Sequence, residues 1–255
     1  MLVLFTDFGV GGPYVGQMHG VLRRAAPDVP IVDLCHDLPP FDPQGAAYLL
    51  AAWAPPLGRQ AVFVAVVDPG VGGARAPVIV RAGEQWFVGP ANGLFDIVGR
   101  RARELQCWEV TWRPKTLSAS FHGRDLFAPI GARLATGWHP GDQPADAHPL
   151  DGAGDDAGDG AGISQPDWPD DLPAVVYIDR YGNATTGLRA DRLRDGTRLL
   201  AGGHSLEAAR TFSDRAHGTA FWYANAAGLA EIAVVNGNAA EHLGLNPGDP
   251  VEILA

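Results

Sequence analysis

Along the first 138 residues, apolar positions follow two alternating rhythms. Short unbroken runs rich in Val and Leu are separated by longer stretches whose apolar residues recur every three or four positions. The clearest run is Ala61–Val67, AVFVAVV, which stops at Asp68 and is followed by Pro69, Gly70, Gly72 and Gly73. A run that is apolar at every position and bounded by Pro and Gly predicts a strand covered on both faces, as at the centre of a parallel sheet. Leu2–Thr6, ending in Asp7, and Ile31–Leu34, running into Cys35-His36-Asp37, predict two more strands, and Trp108–Thr111 another. Pro13 opens a predicted helix to Ala25 with Val15, Met18, Val21 and Leu22 on one face. Further helices are predicted over Gln44–Trp53, Leu94–Arg103 and Leu126–Ala135, and a hairpin of Val78–Arg81 with Trp86–Val88 around Gly83. Strands alternating with helices in this way predict an α/β domain over residues 1–138, a doubly wound and mostly parallel sheet.

The rhythm then changes. Residues 139–171 are dominated by Gly, Ala, Asp and Pro, a composition that buries too little surface to offset its ordering entropy, and they read as an acidic linker or long surface loop. From residue 172 to 255 the pattern is short strands and turns. Candidate strands are Ala174–Asp179, Thr197–Leu200, Ala220–Tyr223, Leu229–Val235 and Val251–Leu254, with turn signals at Asn236-Gly237 and Asn246-Pro247-Gly248-Asp249. This predicts a second, all-β, barrel-like domain.

Charge and cysteine content narrow the functional classes. The formal net charge is −10, but residues 141–171 hold nine Asp and no Lys or Arg, which leaves −1 for the rest of the chain. No basic stripe points to nucleic acid. No apolar run approaches the ~20 residues of a membrane-spanning helix, and no signal-peptide pattern precedes the first strand, so a cytoplasmic protein is expected. Cys35 and Cys107 form no C-x-x-C pair and read as reduced, buried thiols.

Candidate chemistry collects where strands end. In open α/β sheets ligands sit beyond the carboxyl ends of the strands, and Asp7, Asp33 and Asp68 occupy such positions. A carboxylate there can accept from the paired hydroxyls of a ribose. No G-x-G-x-x-G or P-loop accompanies them, which favours a nucleoside over a phosphate-bearing ligand. Arg75 can return across the glycine loop toward Asp68; an ordinary turn with a capping Asp and a solvated Arg is the alternative. His122, beside Gly123 and before a helix, can act as a base or hold a water, or simply pack as a structural imidazole. His36 with Asp33 and Asp37 makes a poor zinc site, since a fourth ligand is lacking. In the second domain, Asp179, Tyr181 and Asn183 join a carboxylate, an aromatic and an amide across one tight turn; an Asx-rich turn with an exposed Tyr is the alternative.

Taken together the motifs become recognisable. TDFG at residues 6–9, YVG at 14–16, VDL-x-H-x-x-PP at 32–40, VVDPGVG at 66–72, VGP-x-NGLF at 88–95, FHGRDLFAP at 121–129 and IDRYGN at 178–183 occur in this order. EIAV at 231–234 and LGLNPGD at 243–249 close the series. The chain resembles the S-adenosylmethionine hydroxide adenosyltransferase family, relatives of the fluorinase and chlorinase enzymes, over nearly its whole length apart from the acidic linker. The resemblance implies an N-terminal α/β domain, a C-terminal β-barrel, and a homotrimer with active sites between subunits. It implies cleavage of S-adenosylmethionine by water to adenosine and methionine, with neither metal nor organic cofactor. It places the family's catalytic Asp/Arg/His set on Asp68, Arg75 and His122, the ribose-binding aspartate on Asp7, and a pocket aromatic on Phe41. It places the methionine-amine ligand on Asp179, the adenine-binding amide on Asn183, and the aromatics around adenine on Tyr181 and Phe212. Relatives usually carry Asp at the positions of Gly12 and Ala91, Ser at Ala226 and Asn at Gly187, and the first and third of these contact the amino-acid end of the substrate. Two rival functions are open: a nucleoside-binding sensor without turnover, which the thinned methionine pocket suits, and a halogenase using halide in place of water, against which stand the absence of this Asp/Arg/His set from the halogenating relatives and the repulsion of an anion by the carboxylate.

Overall fold

The computed structural model describes residues 1–143, 145–150 and 163–254. The chain divides into two compact units, Met1–Pro166 and Asp167–Ala255.

The N-terminal unit is built on a sheet of seven strands: β1 (Leu2–Thr6), β2 (Ile31–Cys35), β3 (Val62–Val66), β4 (Pro77–Ala82), β5 (Gln85–Pro90), β6 (Leu105–Val110) and β7 (Ala147–Pro149), in the order β2-β1-β3-β5-β4-β6-β7. The first four in that order run parallel, while β4 is antiparallel to both β5 and β6. The fully apolar runs form the centre, as their composition predicts. Leu2, Leu4, Val62, Val64 and Val88 face helices α1 (Tyr14–Ala25) and α4 (Ala128–Ala135), meeting Met18, Leu22 and Ile130. Residues of the opposite register, such as Phe5, Phe63 and Phe87, meet Trp53 at the end of α2 (Pro43–Trp53) and Phe95 before α3 (Asp96–Arg101). Asp42 caps α2 by accepting from Gly45 N–H at 2.9 Å, and Pro43 occupies the first turn. Both cysteines are buried and no disulfide joins them; burial pushes the Cys107 thiol up to about 12.

Two differences from the predicted elements bear on function. The helix expected from Leu126 is preceded by a π-helical turn, Gly123–Phe127, which runs directly into α4. And the expected linker is partly structured. β7 pairs with β6, because Asp146 brings the chain alongside: its carbonyl accepts from Thr111 and Trp112 N–H at 2.9 and 3.0 Å, and its carboxylate pairs with Arg133 at 2.6 Å. Residues 151–162, the glycine- and aspartate-rich heart of that segment, lie outside the described residues.

The C-terminal unit holds β8 (Leu172–Ile178), β9 (Ala184–Arg189), β10 (Arg198–Ala201), β11 (His204–Leu206), β12 (Ala220–Ala224), β13 (Leu229–Val234) and β14 (Glu252–Leu254). They form two antiparallel sheets, β12-β13-β9-β8 and β11-β10-β14. Bridges between Ala174 and Pro250 and between Ala208 and Trp222 join the sheets at both sides, closing a barrel-like ring around Leu188, Leu199, Trp222 and Ile232. The pattern did not single out β9, β11 or the short helix α5 (Ala239–Leu243).

Gly131 offers a test of how tightly α4 seats on the sheet. A Cβ there would lie 2.5 Å from Cγ2 of Val64, a stiff β-branched side chain in a fully buried strand. Gly131→Ala should therefore lower stability by about 1–3 kcal/mol of overpacking, more than the ~1 kcal/mol gained in helix propensity. Urea denaturation should show a lower midpoint at unchanged slope; a midpoint at or above the wild-type value would contradict this seating.

Candidate functional site

Asp7 directly follows β1, His36 follows β2 and Asp68 comes two residues after β3. Since these strands are parallel neighbours, the three residues share one edge of the sheet, the carboxyl end. Arg75 returns to this edge through the loop of residues 69–76. The return requires glycine at 72, where φ is +76° and a Cβ would run into the Ala119 carbonyl.

Arg75 is the hub. Its Nε donates to Asp68 Oδ1 at 2.9 Å and to Oδ2 at 3.1 Å, and its terminal nitrogen Nη2 closes a second contact with Oδ2. The same Nη2 lies 2.9 Å from His122 Nδ1. A guanidinium can only donate, so Nδ1 accepts and the imidazole carries its proton on Nε2. Phe127, from the π-helical turn, lies under the guanidinium at 5.2 Å. The Asp68 and Arg75 side chains are only 4% and 10% exposed, so this ion pair is screened little by water. Burial first, and then the Arg75 charge, push the His122 pKa below its ordinary value.

Two more of the expected residues meet beside this group. Asp7 Oδ2 accepts from Phe41 N–H at 3.2 Å. Burial raises the Asp7 pKa, and the nearby Asp68 charge adds to that rise. Phe41 has φ of +63° and the residue is 75% exposed, an unusual pairing of left-handed backbone and displayed aromatic.

In the C-terminal unit, Asp179, Tyr181, Asn183 and Phe212 line one open cavity of about 630 Å³, together with Tyr223 and Glu231. Asp179 shapes the turn: Oδ1 accepts from Tyr181 and Asn183 N–H at 2.8 and 2.9 Å, and Oδ2 from Asn183 Nδ2 at 3.0 Å. Thus the Asx-turn reading is realised, and the carboxylate still fronts the cavity. Tyr181 is 77% exposed. Phe212 packs edge-on against Phe221 and Tyr223, each at 5.3 Å.

Sequence reasoning missed Glu231 and Tyr223. Glu231 sits in the otherwise apolar β13, is itself buried, and accepts from Tyr223 Oη, from Thr185 Oγ1 at 2.7 Å and from Asn225 Nδ2 at 2.9 Å. Burial, and then this carboxylate, raise the Tyr223 pKa. The available signal was a carboxylate inside the apolar strand LAEIAV, a position tolerated only with partners.

Both units match described protein domains. Residues 2–143 match the N-terminal domain of the SAM hydroxide adenosyltransferase family and residues 173–252 match its C-terminal domain; the chain belongs to that family. Over 98% of its length it is similar to the (R)-S-adenosyl-L-methionine hydrolases of Thermus thermophilus, at 39% identity over 97% of that protein, and of Salinispora arenicola, at 36% identity over 96%. Among solved structures, an uncharacterized conserved protein from Thermotoga maritima superposes with a TM-score of 0.84 at 28% identity, with complete coverage of both chains.

The hub position of Arg75 makes a titration test. By NMR of imidazole-labelled protein, His122 should titrate below the usual ~6.5 of a free histidine. Arg75→Met removes a repelling charge, so the midpoint should move up toward or beyond that value. Because the folded-state value is the lower one, the unfolded chain binds the extra proton as pH falls, and whatever stability this site contributes is present above ~6.5 and lost below it. An unchanged midpoint in the variant would show that Arg75 does not govern the imidazole.

Proposed function

We propose that this chain hydrolyses S-adenosyl-L-methionine, with water attacking the ribose 5′ carbon to give adenosine, L-methionine and a proton. The observation that carries this reading is the contact of Asp68, Arg75 and His122 at the sheet edge that also holds Asp7. The names of the relatives support it.

The sulfonium sulfur departs as a neutral thioether, so the leaving group needs no acid. What the protein must supply is an aligned water, partly stripped of solvent, and a place for its proton. Arg75 and the Nε2–H of His122 hold the water, and Asp68 accepts its hydrogen directly. A relay from water through His122 to Asp68 is disfavoured, because Arg75 stands between imidazole and carboxylate. The guanidinium stabilises hydroxide character as the O–C bond forms. Asp7 accepts from the ribose hydroxyls and Phe41 lines the sugar. In the C-terminal pocket Asp179 takes the ammonium of the methionine, Asn183 an adenine edge, and Tyr181 and Phe212 its faces. The reaction calls for no metal or organic cofactor.

We further propose a homotrimer, in which the C-terminal pocket of one subunit completes the site on the N-terminal unit of its neighbour. The exposure of Phe41 and Tyr181, two large aromatics displayed beside candidate ligand groups, supports an arrangement that covers both. We also propose a cytoplasmic location. Among the described residues no helix is long and apolar enough to cross a membrane.

Incubation with S-adenosylmethionine and mass-spectrometric product analysis should give adenosine and methionine in equal amounts, with one solvent oxygen in the adenosine when run in ¹⁸O-water. Asp68→Ala and His122→Ala should each lower kcat by about 10²–10⁴-fold while adenosine still binds. Stoichiometric binding without turnover, or a 5′-halonucleoside in place of adenosine when chloride is added, would overturn the assignment. Light scattering should give three times the chain mass. Mixed trimers of Asp68→Ala with Asp179→Ala chains should regain activity that neither variant has alone; absence of recovery in verified mixed trimers would refute a site shared between neighbours.

A further inference from the structure

One buried residue outside the proposed chemistry grips the Asp7 loop from two directions. His36 is only 5% exposed. Through its backbone, its carbonyl accepts from Gly9 N–H at 2.6 Å. Through its ring, Nδ1 lies 2.8 Å from Thr6 Oγ1, and that oxygen accepts from Phe8 N–H at 3.3 Å. Asp7 is thus flanked on both sides by residues tied to His36. Its carboxylate is in turn bonded to Phe41 N–H, five residues beyond His36 on the same segment.

The direction of each bond follows from the chemistry of its partners. His36 Nε2 is 3.1 Å from Asp33 Oδ1, and His19 Nε2 reaches the same oxygen at 2.8 Å. A carboxylate only accepts, so both Nε2 atoms donate. In the neutral His36 ring Nδ1 must then accept, and the Thr6 hydroxyl spends its single proton on it. The Thr6 oxygen is left free to accept from Phe8 N–H. Reversing the tautomer would set Nε2 and Asp33 lone pair against lone pair and disturb every later step. The two imidazoles together hold the Asp33 carboxyl below its ordinary value, although burial pushes the other way. This favours the acceptor form on which the chain depends.

We propose that His36 is a positioning residue for ligand recognition: by fixing the backbone on either side of Asp7, it aims that carboxylate at the paired hydroxyls of a ribose, with Asp33 and His19 setting its tautomer. The proposal rests on the reading of Asp7 as the ribose ligand, and it assigns a role to side chains that never touch substrate. A merely structural His36 would affect folding or every ligand alike, whereas a positioning one acts through two hydroxyl groups.

That difference is measurable. Adenosine and 2′,3′-dideoxyadenosine are bound by calorimetry to the wild type, Asp7→Ala, His36→Ala, His36→Asn and Thr6→Val, with thermal denaturation confirming that each is folded. Asp7→Ala should weaken adenosine by tenfold or more and leave the dideoxy compound within about twofold. His36→Ala and Thr6→Val should show the same selective loss, about five- to tenfold, the scale of one or two hydrogen bonds. His36→Asn, which keeps an acceptor near Thr6 Oγ1, should recover part of it. The His36→Ala/Asp7→Ala pair should lose no more adenosine affinity than Asp7→Ala alone, as expected of residues acting in series. If Asp7→Ala treats both nucleosides alike, the ribose reading of Asp7 falls and the proposal falls with it. If Asp7→Ala discriminates but His36→Ala and Thr6→Val do not, or if they weaken both nucleosides equally, only the His36 proposal is overturned.

Discussion

The buried ion pair between Arg75 and Asp68 is the constraint from which the N-terminal site follows. Two charges taken so far out of water are tolerated only with close, multiple hydrogen bonds, and truncating one partner strands the other at a cost of about 3–5 kcal/mol. The bidentate geometry meets that condition. It also dictates backbone. For the guanidinium to turn back on the strand that precedes it, the loop must pass tightly over Ala119, which only glycine at 72 permits. The guanidinium's remaining face rests on Phe127 and its free edge on His122, both delivered by the π-helical region. A π-turn re-aims side chains relative to the helix it joins, a feature frequent at functional sites. The contact that disciplines the loop is therefore the one that orients the imidazole.

The C-terminal cavity is organised by a different economy of charge. Asp179 and Glu231 are satisfied by neutral donors, namely backbone N–H, amide, hydroxyl and phenol groups. Neutral donors hold a carboxylate in place without cancelling its charge, so the cavity keeps an acidic character suited to a cationic ligand group. Glu231 also has a mechanical consequence. By anchoring the Tyr223 phenol it steadies the ring against which Phe212 packs, and so one face of the cavity.

What could be read from the chain and what could not divides on physical grounds. Val-rich runs halted by Asp mark strands whose surroundings are apolar on both sides, so β1, β3 and their terminal carboxylates are visible from local pattern. The hairpin around Gly83 is equally local. β9, ATTGLR, is not: its Thr185 and Thr186 are buried because β8 and β13 flank it and their hydroxyls find Glu231 and the Ala230 carbonyl. Gly187 is held there by Leu172 of the adjoining strand, a clash invisible without the pairing. β7 hides in an Asp-rich stretch because its stability comes from the open edge of β6. At the site, the family motifs assemble Asp68, Arg75 and His122, but their order of contact does not follow from motifs. That arginine separates the acid from the imidazole depends on side chains 47 residues apart. The work of His36 is done partly by a carbonyl, which no residue-type signal reports.

The contact order has a consequence for which nucleophile such a site accepts. Arg75 is paired with Asp68, and a second carboxylate, Asp7, lies near enough that the Asp68 charge adds to the rise that burial causes in the Asp7 pKa. With His122 held neutral, the group carries no surplus positive charge to offer an incoming anion. At an effective dielectric of ~20, a unit charge 4 Å from a carboxylate is repelled by about 4 kcal/mol, and the Arg75 charge is offset by Asp68 for as long as that carboxylate holds no proton. In the proposed reaction water escapes that penalty: it would enter uncharged, donate to the carboxylate that opposes a halide, and become negative only as its proton leaves and the bond to carbon forms. In that reaction a buried acid already paired with an arginine would thus act as a filter as well as a proton acceptor, and the same two side chains that make the loop foldable would favour a neutral nucleophile over a charged one.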